Sequence, residues 1–230
     1  MKPDDLIKVN SRAVKTIKDY QTVPFGNLHI NTPYFINLAE SVYKDAFRSA
    51  GVTNKEIHDA IHQIKDGKTP LSSNGGKETP DQIEQSLMRL SNFLLSRNYD
   101  LKTRSTNTIR EWMKIFHIGI DCSGFVYNVL NLSLDPTQWE HSSTLFSWVD
   151  PRRKEASQAG VFVFNSPKLR ELTDMKSLRS LDLCIYTNNS HIGLLVEIDD
   201  ELYLAESSIG EDGISVKRIK VHNQHTINID

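Results

Sequence analysis

The sequence predicts an α+β fold in which helices come first and an antiparallel sheet last. Up to about residue 118, apolar residues recur at helical spacing between capping and breaker signals. After about residue 160, short strand-like segments follow one another directly, an order that suits a meander and not alternating βαβ units. Between the two lies one short apolar helix that carries a cysteine.

Each element has a local reason. Residues 4–20 open on Asp4 and Asp5 and carry Leu6, Ile7, Val14 and Ile17 at helical spacing. A second helix is expected over 33–50, stopped by Gly51. Thr53 and Glu56 stand at capping-box spacing and open a third helix that Gly67 ends. Residues 68–80 hold two prolines and adjacent glycines, the clearest loop in the chain. Thr79, Pro80 and Gln82 then supply an N-cap, a first-position proline and a polar third residue for a helix bearing Ile83, Leu87, Leu90, Leu94 and Leu95. One more helix is expected over 107–117 and the cysteine helix over 122–131. An irregular connection over 132–160 contains Trp139, Trp148 and Pro151-Arg-Arg-Lys154. Strands are expected at 161–164, 181–186, 191–198, 201–207 and 214–221.

Composition narrows the class of function. The chain has 230 residues, and 27 basic against 29 acidic side chains leave a net charge of −2. That near-neutral balance offers no electrostatic footprint for nucleic acid or an anionic membrane. No apolar run approaches the roughly 20 residues that span a bilayer. The acidic, non-apolar start does not read as a secretory signal. Cys122 and Cys184 are the only cysteines, too few for a disulfide framework or a four-thiolate zinc site. The sequence therefore predicts a cytoplasmic protein from a reducing compartment, with export by a route that needs no signal left open.

The sharpest chemical feature is Gly119-Ile-Asp-Cys-Ser-Gly-Phe-Val-Tyr127. Asp121 is a good N-cap and places Cys122 in the first turn, where free N–H groups and the positive helix end favour the thiolate. Ser123 and Gly124 are poor helix formers whose small size leaves room for a substrate backbone. A buried structural cysteine behind an Asp cap is the alternative. A partner for a nucleophile stands in Ser190-His-Ile-Gly193, which starts a strand after the apolar Leu181-Asp-Leu-Cys-Ile-Tyr186. An imidazole brought near by the fold is what a cysteine nucleophile needs.

Asp121-Cys-Ser-Gly-Phe, Leu181-Asp-Leu and Ser190-His-Ile-Gly-Leu, in this order, resemble the NlpC-type cell-wall peptidases of the papain-like superfamily over residues 112–221. The resemblance implies a catalytic helix packed on an antiparallel sheet, here a domain over 112–230 preceded by a helical N-terminal region over 1–111. It implies Cys122 as nucleophile, His191 as base, and a polar residue on the next strand that orients the imidazole. It further implies cleavage of γ-D-glutamyl–diamino acid bonds in peptidoglycan peptides, with Asp121 and Ser123 binding a free amine of the stem peptide. No cofactor or metal is expected.

Strand register names the orienting residue. If Asp199-Asp200 forms a two-residue turn, Ile198 faces Glu201, Gly193 faces Glu206 and Ser208 faces His191. Glu206 then lies diagonal to His191, within reach of a long side chain; a one-residue slip would make Ser208 the candidate. Other features carry bland expectations. His58 and His62 have zinc-like spacing but no Glu between them and no third ligand. Cys184 reads as a buried hydrophobe, the two tryptophans as core packing, and the basic run as a solvated loop. The expected function is thus a cysteine amidohydrolase acting on a peptide or muropeptide. The alternatives are an acyltransferase or transglutaminase-like enzyme on the same pair, or a non-catalytic interaction module.

Overall fold

The computed structural model describes residues 3–35, 51–53, 55, 56, 59, 76–134, 171–186, 190–222 and 227–229. Helix α1 (Pro3–Gln21) carries Asp4 and Asp5 in its first turn and Lys18 in its last, each opposite in sign to the helix end it faces. Val9, Ala13, Ile17 and Tyr20 line its buried stripe. Ile7, expected on that stripe, is 65% exposed.

The region up to residue 118 is not all helical. Val23–Phe25 (β1) and Leu28–Ile30 (β2) pair antiparallel around Gly26, which sits at φ +62°. Pro24 lacks the N–H a helix would use, and Gly26 takes the left-handed turn at no steric cost. Pro33 to Phe35, expected to start a helix, are extended instead. Tyr34 bridges Ile120 in parallel, with hydrogen bonds from Phe35 N to Ile120 O (3.1 Å) and from Ile120 N to Pro33 O (3.2 Å). Most of the two helices expected over 33–67, and the strand expected at 161–164, lie outside the described residues. At Thr53 and Glu56 both capping-box hydrogen bonds are present.

Helix α2 (Pro80–Leu95) begins with the expected capping box between Thr79 and Gln82. Its residues Ile83, Leu87, Leu90 and Leu94 are fully buried. Helices α3 (Thr106–Ile115) and α4 (Cys122–Ser133) follow. The strands are β3 (Leu183–Ile185), β4 (Ile192–Ile198), β5 (Glu201–Ser208), β6 (Gly213–Val221) and β7 (Ile227–Ile229). They form one antiparallel meander in the order β3-β4-β5-β6-β7, whose last strand the sequence did not lead one to expect. The chain is α+β.

Among the described residues, the packing crosses residue 111, where the boundary between the two regions is expected. One core cluster joins Ile17 and Tyr20 of α1, Phe25, Leu87, Trp112, Phe125 and Val129, and Leu194 and Ala205 of the sheet. Tyr20 packs against Phe125 with ring centroids 5.6 Å apart. Its hydroxyl accepts from Asn128 Nδ2 (3.0 Å) and donates to the carbonyl of Glu78 (2.8 Å). On α1, Asn10 accepts from Glu197 N (3.0 Å) and donates to Glu197 O (2.8 Å), satisfying β4 backbone beyond the end of β3. Helix α1 thus pins both α4 and the sheet. Among the described residues, no helix is long and apolar enough to cross a membrane.

Candidate active site

The first turn of α4 is set by Asp121. Its extended backbone ends the preceding segment, and its Oδ1 accepts from Gly124 N at 2.7 Å. Cys122 is therefore the first helical residue, 6% exposed, beside N–H groups that have no partner within the helix. Three distant stretches of chain meet just ahead of it. Tyr34 bridges Ile120 in parallel and Lys77 bridges it antiparallel. Asp121 N donates to Gly76 O (3.0 Å), and Ser207 Oγ on β5 donates to Ile120 O (2.7 Å). The helix start is thereby tied to the sheet that carries the imidazole.

That imidazole, His191, immediately precedes β4. Asp199 and Asp200 turn the chain with φ +51° and +62°, the primed-turn conformation, and Ile198 pairs with Glu201. The ladder runs to Leu194 opposite Ala205, so one step further sets Glu206 opposite Gly193. His191 Nε2 lies 2.9 Å from Glu206 Oε2, and Glu206 is 5% exposed. Cys122 beside it, and then Glu206, push the His191 pKa up to about 9. The imidazolium in turn holds the Glu206 carboxyl below its ordinary value, against the opposing effect of burial.

Three polar side chains around this pair were missed by the sequence. Tyr186 donates its hydroxyl to the same Glu206 oxygen (3.2 Å) and stands edge-on to the imidazole, ring centroids 5.0 Å apart. Burial first, and then the Glu206 charge, push that phenol up to about 12, so it remains a donor. Tyr34 is likewise raised to about 12, by burial first and then by the charges of Cys122 and Asp121. It is a protonated phenol in the neighbourhood of Cys122. Lys77 Nζ contacts Asp121 Oδ1 (2.5 Å), Asp121 Oδ2 (2.6 Å) and Ser123 Oγ (2.7 Å). For Tyr186 a signal existed, since it ends the strand that pairs with the histidine segment. Tyr34 sat in a stretch whose periodicity read as helix, and Lys77 in a loop without pattern.

Cys122, His191 and Glu206 are thus brought together, and Asp121 and Ser123 flank them with Lys77 between. Ser208, the alternative to Glu206, instead accepts from Glu211 N at the next turn (3.3 Å). Cys184 is half-buried on β3, its thiol pushed up by burial and by the Glu206 charge. His58, His62, Trp139, Trp148 and Pro151–Lys154 lie outside the described residues. Among the described residues, no group of three or more potential ligands converges as a metal site would require. No family model matches the chain, and no curated protein or solved structure matches it.

Proposed function

We propose that the chain is a papain-like cysteine amidohydrolase of the NlpC type, which cleaves a peptide or isopeptide bond through an acyl-enzyme on Cys122. The substrate class it would take is the γ-D-glutamyl–diamino acid linkage of peptidoglycan-derived peptides. One observation carries the proposal: at the start of a helix, Cys122 neighbours an imidazole, His191, whose Nε2 lies 2.9 Å from the Glu206 carboxylate. A structural cysteine needs neither partner.

The chemistry follows from that arrangement. His191 takes the thiol proton and Glu206 holds the resulting imidazolium, so that Cys122 presents a thiolate. Thiolate attack on the scissile carbonyl puts charge on its oxygen. Backbone N–H groups of the first turn of α4, that of Cys122 included, are the donors for it, and the phenol of Tyr34 is a candidate second donor. His191 then gives its proton to the departing amine, leaving a thioester. Water deprotonated by His191 attacks the thioester, the acid product leaves, and the thiol is regenerated.

Incubation of the pure protein with muropeptides and γ-glutamyl peptides, followed by mass analysis, tests this. Wild type is expected to release an acid and an amine fragment, and Cys122→Ala neither. Absence of Cys122-dependent cleavage would overturn the proposal. Addition of an amine acceptor distinguishes hydrolysis from acyl transfer, since a transferase would form a new amide in place of the acid.

A further inference from the structure

The chemistry beside Cys122 makes a receptor for a cation. A carboxylate with both oxygens turned to one point and a neighbouring hydroxyl are what an ammonium group requires. Here Asp121 Oδ1, Asp121 Oδ2 and Ser123 Oγ offer three acceptors, and the three donors of the Lys77 ammonium meet them at 2.5, 2.6 and 2.7 Å. Ser123 Oγ directs its own proton to Asp121 Oδ1 (3.0 Å), which leaves its lone pairs for Lys77. The Lys77 side chain is 10% exposed, far less than a solvated lysine.

Lys77 is also held along its length. Its backbone bridges Ile120, the preceding Gly76 carbonyl accepts from Asp121 N, and its own carbonyl accepts from Asn128 Nδ2 (3.0 Å). Its stem crosses the helix so closely that a Cβ on Gly124 would lie 2.7 Å from Lys77 Cδ. Among the described residues, moving it aside would leave the Asp121 carboxylate with only the neutral donors Gly124 N and Ser123 Oγ and no counter-cation.

We infer that Lys77 permanently fills the ammonium-binding position beside the nucleophile, so that the acyl donor reaching Cys122 is a peptide whose amine at that position is already acylated. This rests on Cys122 forming an acyl-enzyme. A free substrate ammonium would meet a cation where it needs an anion. An acylated amine carries no charge and demands no carboxylate.

Two chloromethyl ketone probes test this. Both carry the same γ-D-glutamyl peptide chain, with the terminal amine free in one and acetylated in the other. The Cys122 thiolate displaces chloride, and intact-mass analysis reads the rate without any need for turnover. On wild type the acetylated probe is expected to react at least as fast as the free-amine probe. Lys77→Met, which keeps the stem and removes the ammonium, should shift the ratio toward the free amine by about tenfold or more. Lys77→Arg should keep the wild-type ratio. A faster reaction of the free-amine probe on wild type would overturn the inference. Should Lys77→Met fail to fold, an amine-reactive ester gives a second measurement on wild type. Lys77 is expected to be protected relative to Lys15, whose side chain is 77% exposed, and equal labelling would overturn the inference. If Cys122 reacts no faster than Cys184 with either probe, the amidohydrolase proposal itself fails and the inference falls with it.

Discussion

The two sides of the candidate site are built by different means. On the sheet side, His191 and Glu206 lie 15 residues apart in one hairpin, and a continuous antiparallel ladder fixes their relation. Many backbone hydrogen bonds agree on the same register, so no single one decides it. On the helix side, Lys77 and Asp121 are 44 residues apart, and the chain near Tyr34 is more distant still. Two isolated bridges to Ile120, one ion pair and close backbone approach hold these pieces. A ladder tolerates local change because its neighbours correct it. A single-layer junction of distant segments does not.

The largest expected effect belongs to the chemistry that spans both sides. His191→Gln keeps a donor for Glu206 but cannot exchange a proton with Cys122. Turnover should fall by at least ~10²-fold, while stability in denaturant stays within about 1 kcal/mol. A variant that loses its fold would mark His191 as structural.

Next comes one substitution placed on each side. Alanine at Gly124 would put a Cβ 2.2 Å from the Gly76 carbonyl oxygen and 2.7 Å from Lys77 Cδ. The backbone strap must then move, a cost of about 1–3 kcal/mol that exceeds the roughly 1 kcal/mol gained from helix propensity. At Gly193 the nearest atom is the end of a side chain, Leu204 Cδ1 at 2.5 Å, which can rotate away. Gly193→Ala should cost less than Gly124→Ala, and equal losses in urea denaturation would contradict the contrast between junction and ladder.

The same contrast explains what could be read from the residues alone. The Asp-Cys-Ser-Gly cap, the strand order and the register that carries Glu206 to His191 follow from local preferences repeated along the chain, and these were legible. The β1–β2 hairpin escaped because its strands have three residues each, too few for alternation to stand out against helical neighbours. Tyr34 and Lys77 escaped for a different reason. Their places depend on long-range pairing with Ile120, which leaves no periodic trace in either segment. Likewise, the Tyr20–Asn128–Glu78 bonds that merge the N-terminal helix with α4 join residues 50 and 108 positions apart.

A smaller effect tests how the ladder tunes the imidazole. His191 is raised from 6.5 to about 9, by Cys122 first and Glu206 second. The imidazolium, and whatever stability it lends, is fully present below pH 6.5 and lost as pH rises through about 9. Under the proposed mechanism His191 gives a proton to the leaving amine, so the basic limb of kcat/KM should fall in that window. Glu206→Gln removes the second cause and keeps the first, so the limb should move to lower pH without vanishing, with about a tenfold loss near neutral pH. An unmoved limb would show that Glu206 does not act through His191.

The smallest effect concerns the turn that sets the ladder. Asp199 and Asp200 both hold positive φ, +51° and +62°, where a side chain other than glycine is strained and Asn is better tolerated than most. Two adjacent carboxylates add mutual repulsion. Asn-Gly is the sequence best suited to the same primed turn. The double substitution Asp199→Asn, Asp200→Gly removes the repulsion and relieves the strain at the second position, at the cost of a more flexible unfolded chain. The net gain should be about 0.5–1 kcal/mol, read as a raised midpoint in urea. Because Ile198 and Glu201 remain partners, Glu206 stays beside His191 and the pH profile should not change. A stability gain accompanied by a shifted profile would mean that the turn and not the ladder sets the His191–Glu206 register.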